Sequence, residues 1–149
     1  MTQDWLLLFC RGESLKKGFR QLLAEAEAMI ETLSLDQAAS LLGRDEVVFV
    51  DIREKGELRR DGVIPGAIHA PRGMLEFWVD PDSPYHREVF ASEKKFVLFC
   101  AASWRSALAT TTLTEMGMSN VTHFDGGFDA WKYAGLPVKP YPSSKPASN

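Results

Sequence analysis

The stretch FVLFCAASWRSALA, residues 96–109, decides the architecture. Phe96 to Phe99 form an apolar run that stops at Cys100. Small residues follow, then Trp104 and Arg105, then a segment whose apolar positions Ala109, Leu113 and Met116 recur at helical intervals until Gly117. A short continuous apolar run is what a strand buried on both faces requires. A three- to four-residue recurrence closed by glycine is what an amphipathic helix requires. The stretch therefore reads as a buried strand passing directly into a helix, with a cysteine at the turn.

The same pattern repeats outward from it. VVFVDI (residues 47–52) is a second buried strand, Ala67 to His69 a short third, and VTHFD (residues 121–125) a fourth, followed by Gly126, Gly127 and a short helix around Asp129 to Ala134. Ser34 with Gln37 three residues later is a capping box opening a helix whose inner face is Ala38, Leu41 and Leu42, ended by Gly43. Strands alternating with helices predict an α/β fold, a central parallel sheet with helices on both faces. An extra N-terminal amphipathic helix is predicted within residues 15–33, where Phe19, Leu22, Leu23, Ala26, Ile30 and Leu33 share one stripe. That stripe either packs on the domain or forms a homodimer contact. Residues 1–14 show no period. The division is an arm and helix over residues 1–32, the domain over 33–140, and a Pro- and Ser-rich tail over 141–149 that reads as disordered.

Composition narrows the function classes. The chain has 149 residues, 45% hydrophobic, with net charge -3 and no basic stripe, which argues against nucleic acid as a partner. The apolar run Trp5 to Cys10 is far too short to span a membrane, and no pattern of a secretory leader precedes it. The expected compartment is the cytoplasm. Cys10 and Cys100 are the sole cysteines and read as free thiols. His69, His86 and His123 lack ligand-like spacing, so no metal is expected.

In parallel sheets, ligands bind beyond the carboxyl ends of the strands, where Asp51, Cys100 and Asp125 all fall. With a helix starting near Trp104 or Arg105, residues 101–105 curl so that successive backbone N–H groups face the space above the sulfur. The helix N-terminus adds partial positive charge there. Both favour an anion, the Cys100 thiolate included. Arg105 adds a fixed charge, either to a substrate or to a carboxylate such as Asp51 that braces the loop. A cysteine at a strand end is also a common packing residue. Asp51 suits either a substrate contact or a structural carboxylate. Arg72, Phe77, Trp78 and Tyr85, in the long connection between strands, suit a pocket wall or a surface loop packing its own aromatics.

Four stretches resemble the rhodanese-like (sulfurtransferase) domains. Cys100-Ala101-Ala102-Ser103-Trp104-Arg105-Ser106 is similar to the family's active-site loop, and Val50-Asp51-Ile52-Arg53-Glu54 to its aspartate motif. Gly62 to His69 resembles its Gly-His-Ile-Pro-Gly-Ala stretch, and Gly126-Gly127-Phe128-Asp129-Ala130-Trp131 its closing Gly-Gly-x-x-x-Trp element. The resemblance runs from about Leu33 to Val138. It implies that Cys100 takes the outer sulfur of a small donor, thiosulfate or a persulfide, as a persulfide of its own. The sulfur would then pass to cyanide or a thiol. The resemblance also implies Ala101, Ala102, Ser103, Trp104 and Arg105 as the substrate-binding loop and requires no cofactor; Asp51 and Arg72, read from their positions, complete the expected substrate-binding set. Ser103 replaces a frequent glycine, Val63 a frequent histidine, and Ala101 and Ala102 carry no charge. Thiosulfate is then expected to be a surrogate donor. Phosphatases and arsenate reductases of the same fold carry one more residue between cysteine and arginine, so the four residues here favour sulfur. A binding module without catalysis is the remaining alternative.

Overall fold

The computed structural model describes residues 15–142, so the arm at 1–14 and the tail from 143 onward lie outside the described residues. Five strands form one parallel sheet: β1 (Thr32–Leu33), β2 (Val47–Asp51), β3 (Ile68–His69), β4 (Lys95–Phe99) and β5 (Val121–Phe124), in the order β1-β5-β4-β2-β3. The helices are α1 (Phe19–Met29), α2 (Leu35–Leu41), α3 (Lys55–Asp61), α4 (Leu75–Val79), α5 (Trp104–Glu115) and α6 (Gly127–Tyr133).

Because side chains alternate along a strand, the central strands divide their residues between two cores. Val50, Ile52, Phe96, Leu98 and Cys100 face Leu75 and Val79 of α4 and Ala109 and Leu113 of α5. Phe49, Val97, Phe99 and Phe124 face Ala38 of α2 and Phe128 and Trp131 of α6. This two-sided burial explains why β2 and β4 are apolar without alternation. It also sets Cys100 on the α5 side of the sheet. The α/β fold with helices on both faces is the one read from the sequence, and the Ser34–Gln37 capping box forms as its residue types predict.

Two local readings change. The helix expected within residues 15–33 ends at Met29: Ile30 is extended, and Thr32–Leu33 join β5 as an edge strand, pairing with His123 and Phe124. Pairing the backbone of a β-branched threonine and its neighbour outweighs one more helical turn there. Of the helix's apolar stripe only Ala26 is buried, while Phe19, Leu22 and Met29 are over 40% exposed. The helix α3 carries no readable apolar period, because its seven residues bury only Leu58. Among the described residues no helix is long and apolar enough to cross a membrane.

Candidate active site

The turn at Cys100 is built from three directions. From the strand side, β4 delivers the residue at the sheet's carboxyl edge with its side chain 1% exposed. From the helix side, the backbone N–H groups of Ser103 and Ser106 donate to Cys100 Sγ at 3.2 and 3.3 Å. Ser103 adopts φ 97°, ψ -10°, the one non-glycine residue with positive φ among the described residues. A left-handed serine is strained by its Cβ, yet this rotation is what turns its N–H onto the sulfur. Serine thus takes up the conformation that a glycine would adopt freely. The N–H groups of Ala102, Trp104 and Arg105 have no acceptor among the described residues. They are the free donors that a helix start leaves over.

From beneath, α6 holds the loop by its carbonyls. Phe128 N–H donates to Cys100 O at 2.8 Å and Asp129 N–H to Ala101 O at 2.9 Å. A Cβ on Gly127, which has φ +61°, would lie 2.6 Å from Cys100 O and 2.7 Å from Ala101 O. That clash is the physical content of the Gly126-Gly127 motif: the helix must start against the cysteine loop with no side chain between them.

Arg105 is braced, and the carboxylate is Glu57, not Asp51. Arg105 Nη1 and Nη2 donate to Glu57 Oε2 and Oε1 at 2.9 and 3.0 Å. The pair is bidentate, the strongest form of such a bond. Glu57 Oε2 also accepts the N–H of Glu54 at the start of α3. Chiefly through the Arg105 hydrogen bonds, the Glu57 carboxyl is lowered from its ordinary 4.5 to about 2. The loop's one cation is therefore already matched by an anion.

Asp51 is not brought to the sulfur. Its carboxylate accepts from Arg53 Nε at 3.0 Å and Nη2 at 2.7 Å, and Arg53 Nη2 also donates to Gly62 O. Both side chains are about 98% buried, and the guanidinium lies 3.9 Å from the centroid of the Phe128 ring. Parity explains the separation. Asp51 pairs with Phe99 and faces the α2 and α6 side, whereas Cys100, one residue on, faces α5. Arg72 pairs with Glu76 at 2.9 Å and reaches Thr112 far along α5, so its polar contacts also lie away from the loop. Trp78 packs on the core under Arg87, while Phe77 and Tyr85 are exposed. Trp104 is 59% exposed and packs against Phe19 of α1, the two rings tilted with centroids 5.0 Å apart. His69 Nε2 contacts Arg53 O at 2.7 Å, a structural tie.

Two polar residues beside the sulfur carried no functional assignment in the sequence. Ser106 is fully buried, and its hydroxyl lies 3.2 Å from Ser103 O and 2.9 Å from His123 Nδ1. His123, 1% exposed on β5, is held neutral: burial lowers it from 6.5 to about 4, with Asp125 opposing weakly. Ser106 stood inside the quoted loop, and Glu57 stood three residues after Glu54 at a helix start. His123 had no signal, since its partners come from elements distant in sequence.

A parallel α/β sheet whose central strand ends in a cysteine, held under inward-turned amides and closed by an arginine five residues on, defines a class of cysteine-loop domains. A family model, the rhodanese-like domain, matches residues 34–134, and the chain belongs to that family. Human thiosulfate:glutathione sulfurtransferase is 26% identical over 106 residues, covering 67% of this chain and 91% of the relative. A Rhodopseudomonas palustris protein of unknown function, RPA3614, described as a possible tyrosine phosphatase, is 47% identical with TM-score 0.82, over 85% of this chain and 98% of that one. The polysulfide-sulfur transferase homodimer of Wolinella succinogenes is 28% identical with TM-score 0.63, over 87% and 93%. The chain spans 62% and 55% of the length of two other curated relatives it matches, from mouse and Synechocystis.

Proposed function

We propose that the chain is a sulfurtransferase in which Cys100 carries sulfane sulfur as a persulfide. The observation that carries the reading is the sulfur itself, placed at the strand end under two backbone N–H donors, with three further loop amides free. In the first step the Cys100 thiolate attacks the outer sulfur of a donor. With thiosulfate, the S–S bond of the donor breaks, sulfite leaves with the electron pair, and Cys100 becomes a persulfide. In the second step a thiolate or cyanide attacks the outer sulfur, and the Cys100 thiolate departs. The free amides of residues 102, 104 and 105 stabilise the terminal sulfur anion as preorganised donors, an oxyanion-hole arrangement transferred to sulfur.

Thiosulfate serves as a surrogate donor in this reading. A dianion needs uncompensated positive charge, and Arg105 is paired with Glu57 while Ala101 and Ala102 offer none. Asp51 and Arg72 support the loop's surroundings in this mechanism and do not contact substrate. The similarity to RPA3614 keeps phosphoryl transfer as the competing chemistry. Only four residues separate Cys100 from Arg105, which gives a smaller cradle than a tetrahedral phosphate fills. The exposed apolar positions Leu15, Phe19, Leu22 and Met29 support a homodimer through α1, checked by the mass in solution of Leu22→Asp against the parent.

Intact-mass measurement after incubation with thiosulfate or a low-molecular-weight persulfide tests the assignment. The expected product is a one-sulfur adduct that cyanide removes and Cys100→Ser never forms. No adduct with any donor, or hydrolysis of an aryl phosphate without sulfur transfer, refutes it.

A further inference from the structure

Behind the cradle a polar chain runs from the exposed Thr32 at the sheet edge, through the buried His123 and Ser106, to the sulfur. Thr32 Oγ1 lies 3.0 Å from His123 Nε2, and His123 Nδ1 lies 2.9 Å from Ser106 Oγ. Ser106 Oγ is 3.2 Å from Ser103 O, and the N–H groups of Ser103 and Ser106 both donate to Cys100 Sγ. The one hydroxyl proton of Ser106 goes either to Ser103 O, which also accepts the Ala107 N–H at 3.0 Å, or to His123 Nδ1. In the first arrangement His123 carries its proton on Nδ1 and accepts from the Thr32 hydroxyl at Nε2; in the second it accepts at Nδ1 and donates from Nε2 to Thr32 Oγ1. Both arrangements leave every polar atom of the chain partnered and hold the Ser106 hydroxyl against His123, and burial keeps the imidazole neutral.

We propose that His123 is a positioning residue for the Cys100 sulfur, acting through the Ser106 hydroxyl. Ser106 touches the sulfur directly by its N–H, and its hydroxyl lies 3.2 Å from the carbonyl of Ser103, whose left-handed backbone aims the second N–H. Left-handed serine is strained, so the loop needs an external restraint to stay there. The imidazole supplies it by holding the Ser106 side chain through the 2.9 Å hydrogen bond at Nδ1. No proton is transferred to or from His123, and it touches no substrate.

The test reads the thiolate and not turnover, so its failure is separate from a failure of the sulfur-transfer reading. The ultraviolet absorbance of the Cys100 thiolate is titrated in the full chain, subtracting the matching Cys100→Ser protein to remove Cys10 and background. In His123→Phe and in Ser106→Ala, the thiolate-to-thiol ratio at a given pH is expected to fall about tenfold, the scale of one hydrogen bond to a charged group. His123→Asn, whose amide can donate to or accept from the Ser106 hydroxyl, is expected to stay within about twofold of the parent. General loosening would instead expose the sulfur to water and move the ratio alike in all three variants. A ratio within twofold of the parent in Ser106→Ala overturns the proposal, as does His123→Asn behaving like His123→Phe. Should His123→Phe fail to fold, Ser106→Ala and His123→Asn decide.

Discussion

Replacing Glu57 by Gln probes the ion pair that commits the loop's arginine. The glutamine oxygen can still accept the Glu54 N–H, so the helix start survives and the change isolates charge. Glu57 sits at about 2 in the folded chain against 4.5 ordinarily. Its folded-state value is depressed, so its contribution is complete above about pH 4.5 and is lost as the pH falls through about 2. At about 1.4 kcal/mol per pKa unit the drop sets a ceiling of roughly 3–4 kcal/mol. The Arg105 side chain is 40% exposed, and solvent screening reduces this to roughly 1–2 kcal/mol. Glu57→Gln is therefore expected to lose about 1–2 kcal/mol at pH 7 by urea unfolding, with the gap to the parent closing toward pH 2. Released from its partner, Arg105 becomes available to a dianionic donor. The KM for thiosulfate should fall roughly threefold to tenfold with little change in kcat, the signature of uniform binding gained. Equal stability at pH 7, or a gap that persists undiminished to pH 2, would refute the electrostatic account. An unchanged KM would refute the claim that Glu57 withholds the arginine.

Two further substitutions test the scaffold. Ser103→Gly relieves a left-handed Cβ costing about 1–2 kcal/mol while adding roughly 0.5–1 kcal/mol of unfolded-chain entropy. The Ser103 hydroxyl caps no helix N–H that would be lost. A rise of about 1–4 °C in Tm is expected by scanning calorimetry, and a fall would mean that the serine side chain supports the loop. Asp51→Ala strands the buried Arg53 guanidinium, and about 3–5 kcal/mol of stability should disappear. A loss below about 1 kcal/mol in the same measurement would show that Arg53 finds another partner.

Much of this protein was legible in its sequence because the deciding information is local. Apolar runs at 47–52 and 96–99 name strands buried on both faces, the Ser34–Gln37 spacing names a helix start, and the step from Cys100 to Arg105 names a cradle. What local pattern could not reach is which distant groups meet. Nothing near Arg105 marks Glu57, 48 positions away, as the carboxylate that neutralises it. Asp51 and Cys100 look equivalent as strand-end residues, yet one residue of parity sends them to opposite faces of the sheet. His123 reads as an ordinary strand residue until β5 lies beside β4 and Ser106 comes within 2.9 Å. The sequence by itself determined the elements and the place of the Cys100 sulfur at a strand end, since periodicity and turn chemistry act over a few residues. Only the tertiary structure decided the charge and support around that atom. Those depend on side chains that chain reversal brings together, and on the face of the sheet each one is given.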